Sequence, residues 1–201
     1  MTQHPKIKAI VNGWEVRWEE IKHWKSIRVA HVLQELIDLG QDVYLNQRVL
    51  PHQNFYQLTE DELIQAATES KLILGTDKIL EIYDERLNES DAMWEVFVQR
   101  TPKDAPFKEC HVIIEGEGIN PAMISNIDQE GGISLEGSYS LHPEHYVFSQ
   151  TDNMQLVMET FGNYKYPSLF KLKMLDPNTH KLPVLTALLI LYRRYIVYQR
   201  V

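Results

Sequence analysis

A chain of 201 residues, 44% hydrophobic and 24% charged, has the composition of a globular protein that buries its own core, which excludes disordered and low-complexity classes. Its single cysteine, Cys110, excludes an intrachain disulfide and cysteine-rich zinc sites but leaves histidine-based ones open. The net charge of −8 is segmental, at +1 over 1–58, −7 over 59–91, −8 over 92–164 and +6 over 165–201; an acidic middle argues against a nucleic-acid surface.

The opening MTQHPKIKAIVNGW has no apolar signal-peptide core. Residues 14–39 read as a helix. Trp14, Trp18, Ile21 and Trp24 recur at steps of three and four, as a core stripe would. Val29, Leu33, Leu36 and Ile37 continue the stripe, displaced around the axis, so the helix either meets two partners or breaks near Ser26. Gly40 ends it. Residues 42–46, DVYLN, form a short strand candidate. Thr59-Glu-Asp-Glu62 is a capping box, and Leu63, Ala67, Ser70 and Leu74 follow on one face. Gly75 stops this helix. Thr76 opens a second, with Ile79, Ile82, Tyr83 and Leu87 on its buried side, giving a helical hairpin with an acidic outer face.

From Met93 the pattern changes to period two. MWEVFVQR, FKECHVII, HYVFSQ, MQLVMETF and SLFKLKML read as strands, with GISLEGSYS a weaker one because of Gly137. A short polar loop joins Gln150 to Met154 as a hairpin. Near the C-terminus the longest uncharged run, Leu182 to Tyr192, is eleven residues, too short to span a bilayer. Pro183 suits a first helical turn, and Leu185, Leu188, Leu189, Tyr192 and Ile196 then make a core face; RRYIVYQRV alternatively suits a strand.

The expected fold is α+β: an N-terminal helical layer and a C-terminal helix packed on an antiparallel sheet of about five to seven strands. It is one domain over 1–201, with a mainly helical part (1–91), the sheet (92–176) and the C-terminal helix (177–201). The expected location is cytoplasmic, with neither membrane nor nucleic acid as partner.

The densest polar stretch runs from Lys108 to Gln150. His142 and His145 lie three residues apart in His-Pro-Glu-His. On a helix they would share a face, but Pro143 favours an extended or turn conformation. Strand residues i and i+3 face opposite ways, so a shared divalent ion requires a turn between them. His111 is the expected third metal ligand. Glu117 joins His142 and His145 as candidate acid–base residues, and Glu115 and Glu159 are further carboxylate candidates. Against this stands the plain reading of loop and strand histidines in ordinary hydrogen bonds. Asn120-Pro121 suits a helix start that could hold an anion, although Glu115 and Glu117 would repel one. Cys110 and His111, adjacent on a strand, face opposite ways and cannot activate each other.

A ligand pocket lined by Tyr139, Tyr146, Phe148 and Glu159 is a further expectation, weighed against the same aromatics filling a core. Tyr192, Tyr195 and Tyr198 with Arg193, Arg194 and Arg200 point to self-association as a homodimer. The function expected is a non-catalytic small-molecule- or protein-binding module. The alternative is a small metal-assisted or acid–base hydrolase or lyase using His111, His142, His145 and Glu117.

Overall fold

A computed structural model describes residues 7–102, 104–106, 111–116, 134–151, 154–160, 166–174 and 195–199. Strand β1 (Ile7–Val11) turns through Asn12 and Gly13, both at positive φ, into β2 (Trp14–Val16). Helix α1 (Trp18–Asp38) follows directly. The hairpin β3 (Tyr44–Leu45) and β4 (Arg48–Val49) turns on Asn46 and Gln47, whose backbone N–H groups donate to the Glu69 carboxylate. A 3₁₀ turn, His52–Gln57, leads to α2 (Glu60–Ile82), and α3 (Asp84–Arg100) runs on from Tyr83. Next come β5 (Val112–Gly116), α4 (Leu135–Leu141), β6 (His145–Thr151), β7 (Met154–Glu159), β8 (Ser168–Met174) and β9 (Tyr195–Gln199).

Among the described residues the fold mixes four α-helices with three small antiparallel sheets, ordered β2-β1-β5, β3-β4 and β6-β7-β8-β9. The single sheet of five to seven strands is therefore corrected: the described strands divide among three sheets. The capping box at Thr59 is present, with Glu62 N–H donating to Thr59 Oγ1 at 3.3 Å and Thr59 N–H to Glu62 Oε2 at 2.8 Å. Gly75 interrupts α2 with φ 74° and ψ 164°, a conformation open to a residue without Cβ.

MWEVFVQR is helix rather than strand. Its alternation imitates period two, but Leu87, Ser90 and Trp94 recur at helical steps. Ser90 and Trp94 both meet Ser168 on β8, at 2.8 and 2.7 Å. The helical half thus extends to residue 100. GISLEGSYS is likewise helical from Leu135, because Ser134 caps it by accepting from Gly137 N–H. The helix expected over 177–201 is corrected at Tyr195–Gln199, which is strand β9. That aromatic and β-branched run pairs antiparallel with β8; residues 175–194 lie outside the described set.

The core joins Val29, Val32, Leu33 and Leu36 of α1 to Leu63, Ala66, Ala67 and Ile79 of α2, then to Tyr83, Leu87, Tyr146, Val147 and Met158. Only the later part of α1 reaches it. Trp14 belongs to β2 and is 79% exposed, while Trp18 and Trp24 are each more than half exposed. The tryptophan stripe is thus not core, because the face of α1 that packs on α2 is the displaced one beginning at Val29. Among the described residues no helix is long and apolar enough to cross a membrane.

Candidate functional site

Helix α4 ends at His142, whose N–H donates to Ser138 O; Pro143 and Glu144 turn, and His145 opens β6 with its N–H donating to His142 O at 2.9 Å. This is the turn that a shared ion requires. It brings the two imidazoles to a centroid distance of 4.3 Å.

The third member comes from β7. His145 stands directly across from Glu159 in the ladder, and its Nε2 lies 2.8 Å from Glu159 Oε2. A β-bulge then resets the alternation. His145 pairs with Glu159, but Val147 pairs with Met158 and Phe148 with Val157, leaving Tyr146 as the extra residue. Glu159 and Val157 share a face of β7, so their partners His145 and Phe148 share one too. Their rings stack at 5.6 Å, although three residues apart on a strand. Tyr146 and Val147 are consequently both buried completely.

Ligand atoms of His142, His145 and Glu159 all lie within 4.8 Å of one another. A tetrahedral ion with bonds of about 2.0–2.1 Å holds its ligand atoms about 3.4 Å apart, so modest side-chain adjustment completes the set, with His145 Nε2 and Glu159 Oε2 opening from 2.8 Å. Two imidazoles and a carboxylate suit zinc and its transition-metal neighbours rather than calcium or magnesium, which favour oxygen donors throughout. Ser138 Oγ, buried, lies 2.9 Å from His145 Nδ1, where a hydrogen-bond partner of a metal-bound imidazole belongs. His142 is partly exposed. Loss of hydration, then the neighbouring His145, push its pKa down to about 4, with Glu159 opposing. It is therefore neutral, the ligating form, at ordinary pH.

Behind the turn, polar side chains anchor its backbone. Lys71 of α2 is fully buried, and its Nζ donates to Pro143 O at 2.7 Å and His145 O at 2.8 Å. Loss of hydration pushes its pKa well below the ordinary lysine range, with the Glu144 carboxylate opposing. Arg28 of α1 grips Glu144 through both Nε and a terminal nitrogen. One residue past His145, Tyr146 enters a sealed cluster. Its hydroxyl and that of Tyr83 donate to Glu35 Oε2, and Arg86 pairs with Oε1.

Among the residues singled out in the sequence, His142, His145 and Glu159 converge. His111 immediately precedes β5 of the three-stranded sheet, where its N–H donates to Asn12 Oδ1, and is not part of the converging set. Glu117, Cys110, Asn120 and Pro121 lie outside the described residues. Tyr139 and Tyr146 are 1% and 0% exposed: the Tyr139 hydroxyl donates to Tyr146 O, and both rings fill the interior. Lys71, Ser138 and Arg28 carried no legible signal as site residues, since each acts through a contact that the fold creates.

A separate cleft of about 620 Å³ lies between α1, α2 and α4, lined in part by Trp18, Lys22, Lys25, Ile64, Thr68 and Glu136. The buried Thr68 hydroxyl has no hydrogen-bond partner among the described residues. Comparison of the chain with family models, curated proteins and solved structures finds no match.

Proposed function

We propose that this chain is a metal-binding protein that takes a zinc-class divalent ion on His142, His145 and Glu159. The observation that supports the reading is the convergence of these three donors across a helix end, a turn and a strand pair. With an ion on His145 Nε2, the ring would carry its proton on Nδ1, placed to donate to Ser138 Oγ at 2.9 Å. Three protein ligands leave a fourth position for water or a ligand atom. Glu159, and not His111, is the third donor in this proposal, because it is Glu159 that lies with the two imidazoles. The proposal is of binding, because both imidazoles and the carboxylate serve as ligands.

The test is metal-free full-length protein titrated with zinc against a chelating dye. A 1:1 complex is expected. His142→Ala and Glu159→Ala should each weaken it by more than the roughly 10–100-fold typical of outer partners. Absence of stoichiometric binding, or unchanged affinity in both variants, rejects the reading.

The unpartnered Thr68 hydroxyl supports a second reading, a small polar molecule held in the cleft beside Trp18. Native mass spectrometry of the purified protein should show a bound species that is lost in Thr68→Val; a bare chain in both counts against it. A homodimer also remains a proposal, supported by exposed Val112, Ile113 and Ile114 on β5, an edge strand among the described residues. Light scattering that gives the monomer mass at tens of micromolar would exclude it.

A further inference from the structure

The turn between His142 and His145 is held by a group that no metal-binding pattern in the sequence would include. Lys71 lies in the interior of α2, 72 residues before Pro143 and 74 before His145. Its Nζ donates to the carbonyl of Pro143 at 2.7 Å and to that of His145 at 2.8 Å. A third direction from the same nitrogen faces the Tyr139 ring, 4.3 Å to its centroid. One nitrogen therefore gathers the two carbonyls that bracket Glu144, while Arg28 fixes the Glu144 side chain from α1.

We infer that Lys71 is a positioning residue for the metal site: by clasping the carbonyls of Pro143 and His145 it fixes the turn that sets the spacing of the two imidazoles. The inference rests on the metal-binding reading above. Its physical basis is the cost of a buried polar group without a partner. If the amino group is removed, two carbonyls in a water-poor interior lose their donor. The turn must then move to satisfy them, and movement of Pro143 and His145 carries the His142 and His145 rings apart. A Lys side chain reaching between elements is also the link that lets α2, which contributes no ligand, determine the geometry of a site on α4, β6 and β7.

The experiment uses the full chain, freed of metal with a chelator and titrated with cobalt(II). Visible d–d absorption then reports both affinity and ligand geometry. Wild type is compared with Lys71→Met, which keeps the aliphatic stem. Measurements are made at a temperature where circular dichroism shows the variant fully folded. Wild type should bind one cobalt, and Lys71→Met should bind roughly 10–100-fold more weakly with displaced d–d bands, the range for outer partners of metal ligands. A residue that merely supports the fold would lower the melting temperature and leave cobalt affinity and spectrum unchanged, which overturns the inference. If wild type itself binds no cobalt, the metal-binding reading fails and this inference with it.

If Lys71→Met does not fold, the test moves to wild type with ¹⁵N-labelled lysine. Coupling between two sites is reciprocal, so metal must tighten the clasp as the clasp tightens metal. Zinc should slow exchange of the Lys71 Nζ protons about tenfold or more; an unchanged rate overturns the inference.

Discussion

Two polar clusters lie side by side in this protein, built from adjacent residues of one strand, and they differ in closure. Tyr146 enters the first, where the Glu35 carboxylate accepts from Tyr83, Tyr146 and Arg86, and Glu35 itself is 5% exposed. His145 enters the second, where its ring and Glu159 remain about a fifth exposed and His142 stands beside them. In the first cluster every group has its partners inside the protein. A closed set of that kind rigidifies a core and leaves nothing for a ligand. The second holds three potential metal donors with access to solvent. Buried charge alone therefore does not mark a site in this chain. Unused coordinating capacity does.

The contrast can be broken first at the closed cluster. Glu35→Ala leaves the Arg86 guanidinium and two tyrosine hydroxyls without their acceptor, and should cost about 3–5 kcal/mol of unfolding free energy. Denaturant unfolding measures it, and a loss below about 1 kcal/mol would mean that water or rearrangement replaces the carboxylate. Removing one member of the open cluster, as in His142→Ala, should change stability far less while removing metal affinity.

Alkaline pH should next act on the closed cluster. Burial raises the Tyr83 and Tyr146 hydroxyls well above the ordinary tyrosine range, and Tyr139 to about 12. Above pH about 10 the unfolded chain releases protons that the folded chain retains. The unfolded state then binds fewer protons, so stability must fall as pH rises towards 12. Urea midpoints at pH 9, 10 and 11 check the direction; a flat or rising series contradicts it.

The smallest effect is expected at the open cluster under acid. With a folded pKa of about 4 against the ordinary 6.5, His142 binds fewer protons in the folded chain between those values. Stability of the metal-free protein should therefore rise with pH across that window and fall as pH drops through it. Subtracting the His142→Ala profile from wild type isolates this contribution, which solvent exposure of the ring keeps small. A difference profile sloping the other way would show that the folded state favours the charged imidazole.

Some of the fold is legible because the cause lies within a few residues. Thr59 and Glu62 make the α2 start a local matter, Gly75 breaks the helix through its own backbone, and Gln150 to Met154 mark the β6–β7 hairpin. Asn12-Gly13 is a two-residue hairpin signal of the same local kind, and it accounts for Trp14 lying in β2 rather than in the helix. In MWEVFVQR the local pattern fits both periods, and only packing of Ser90 and Trp94 against Ser168 selects the helix.

What the sequence determined by itself was a condition: His142 and His145 can share an ion only through a turn, since Pro143 disfavours a continuous helix and strand alternation sends residues three apart to opposite faces. Its change of hydrophobic period along the chain also pointed to a mixed α and β architecture with antiparallel strands. Only the tertiary structure decided the rest. Strand register placed Glu159 opposite His145, fourteen residues along the chain, and left His111 beside another sheet, just before β5. The bulge at Tyr146 divided neighbouring residues between a sealed core and an open cluster. Helix packing buried the Val29 face of α1 instead of its tryptophans and brought Lys71 behind the turn. These outcomes depend on which surfaces meet and in what register, and that is fixed by summed burial over many residues rather than by any short pattern.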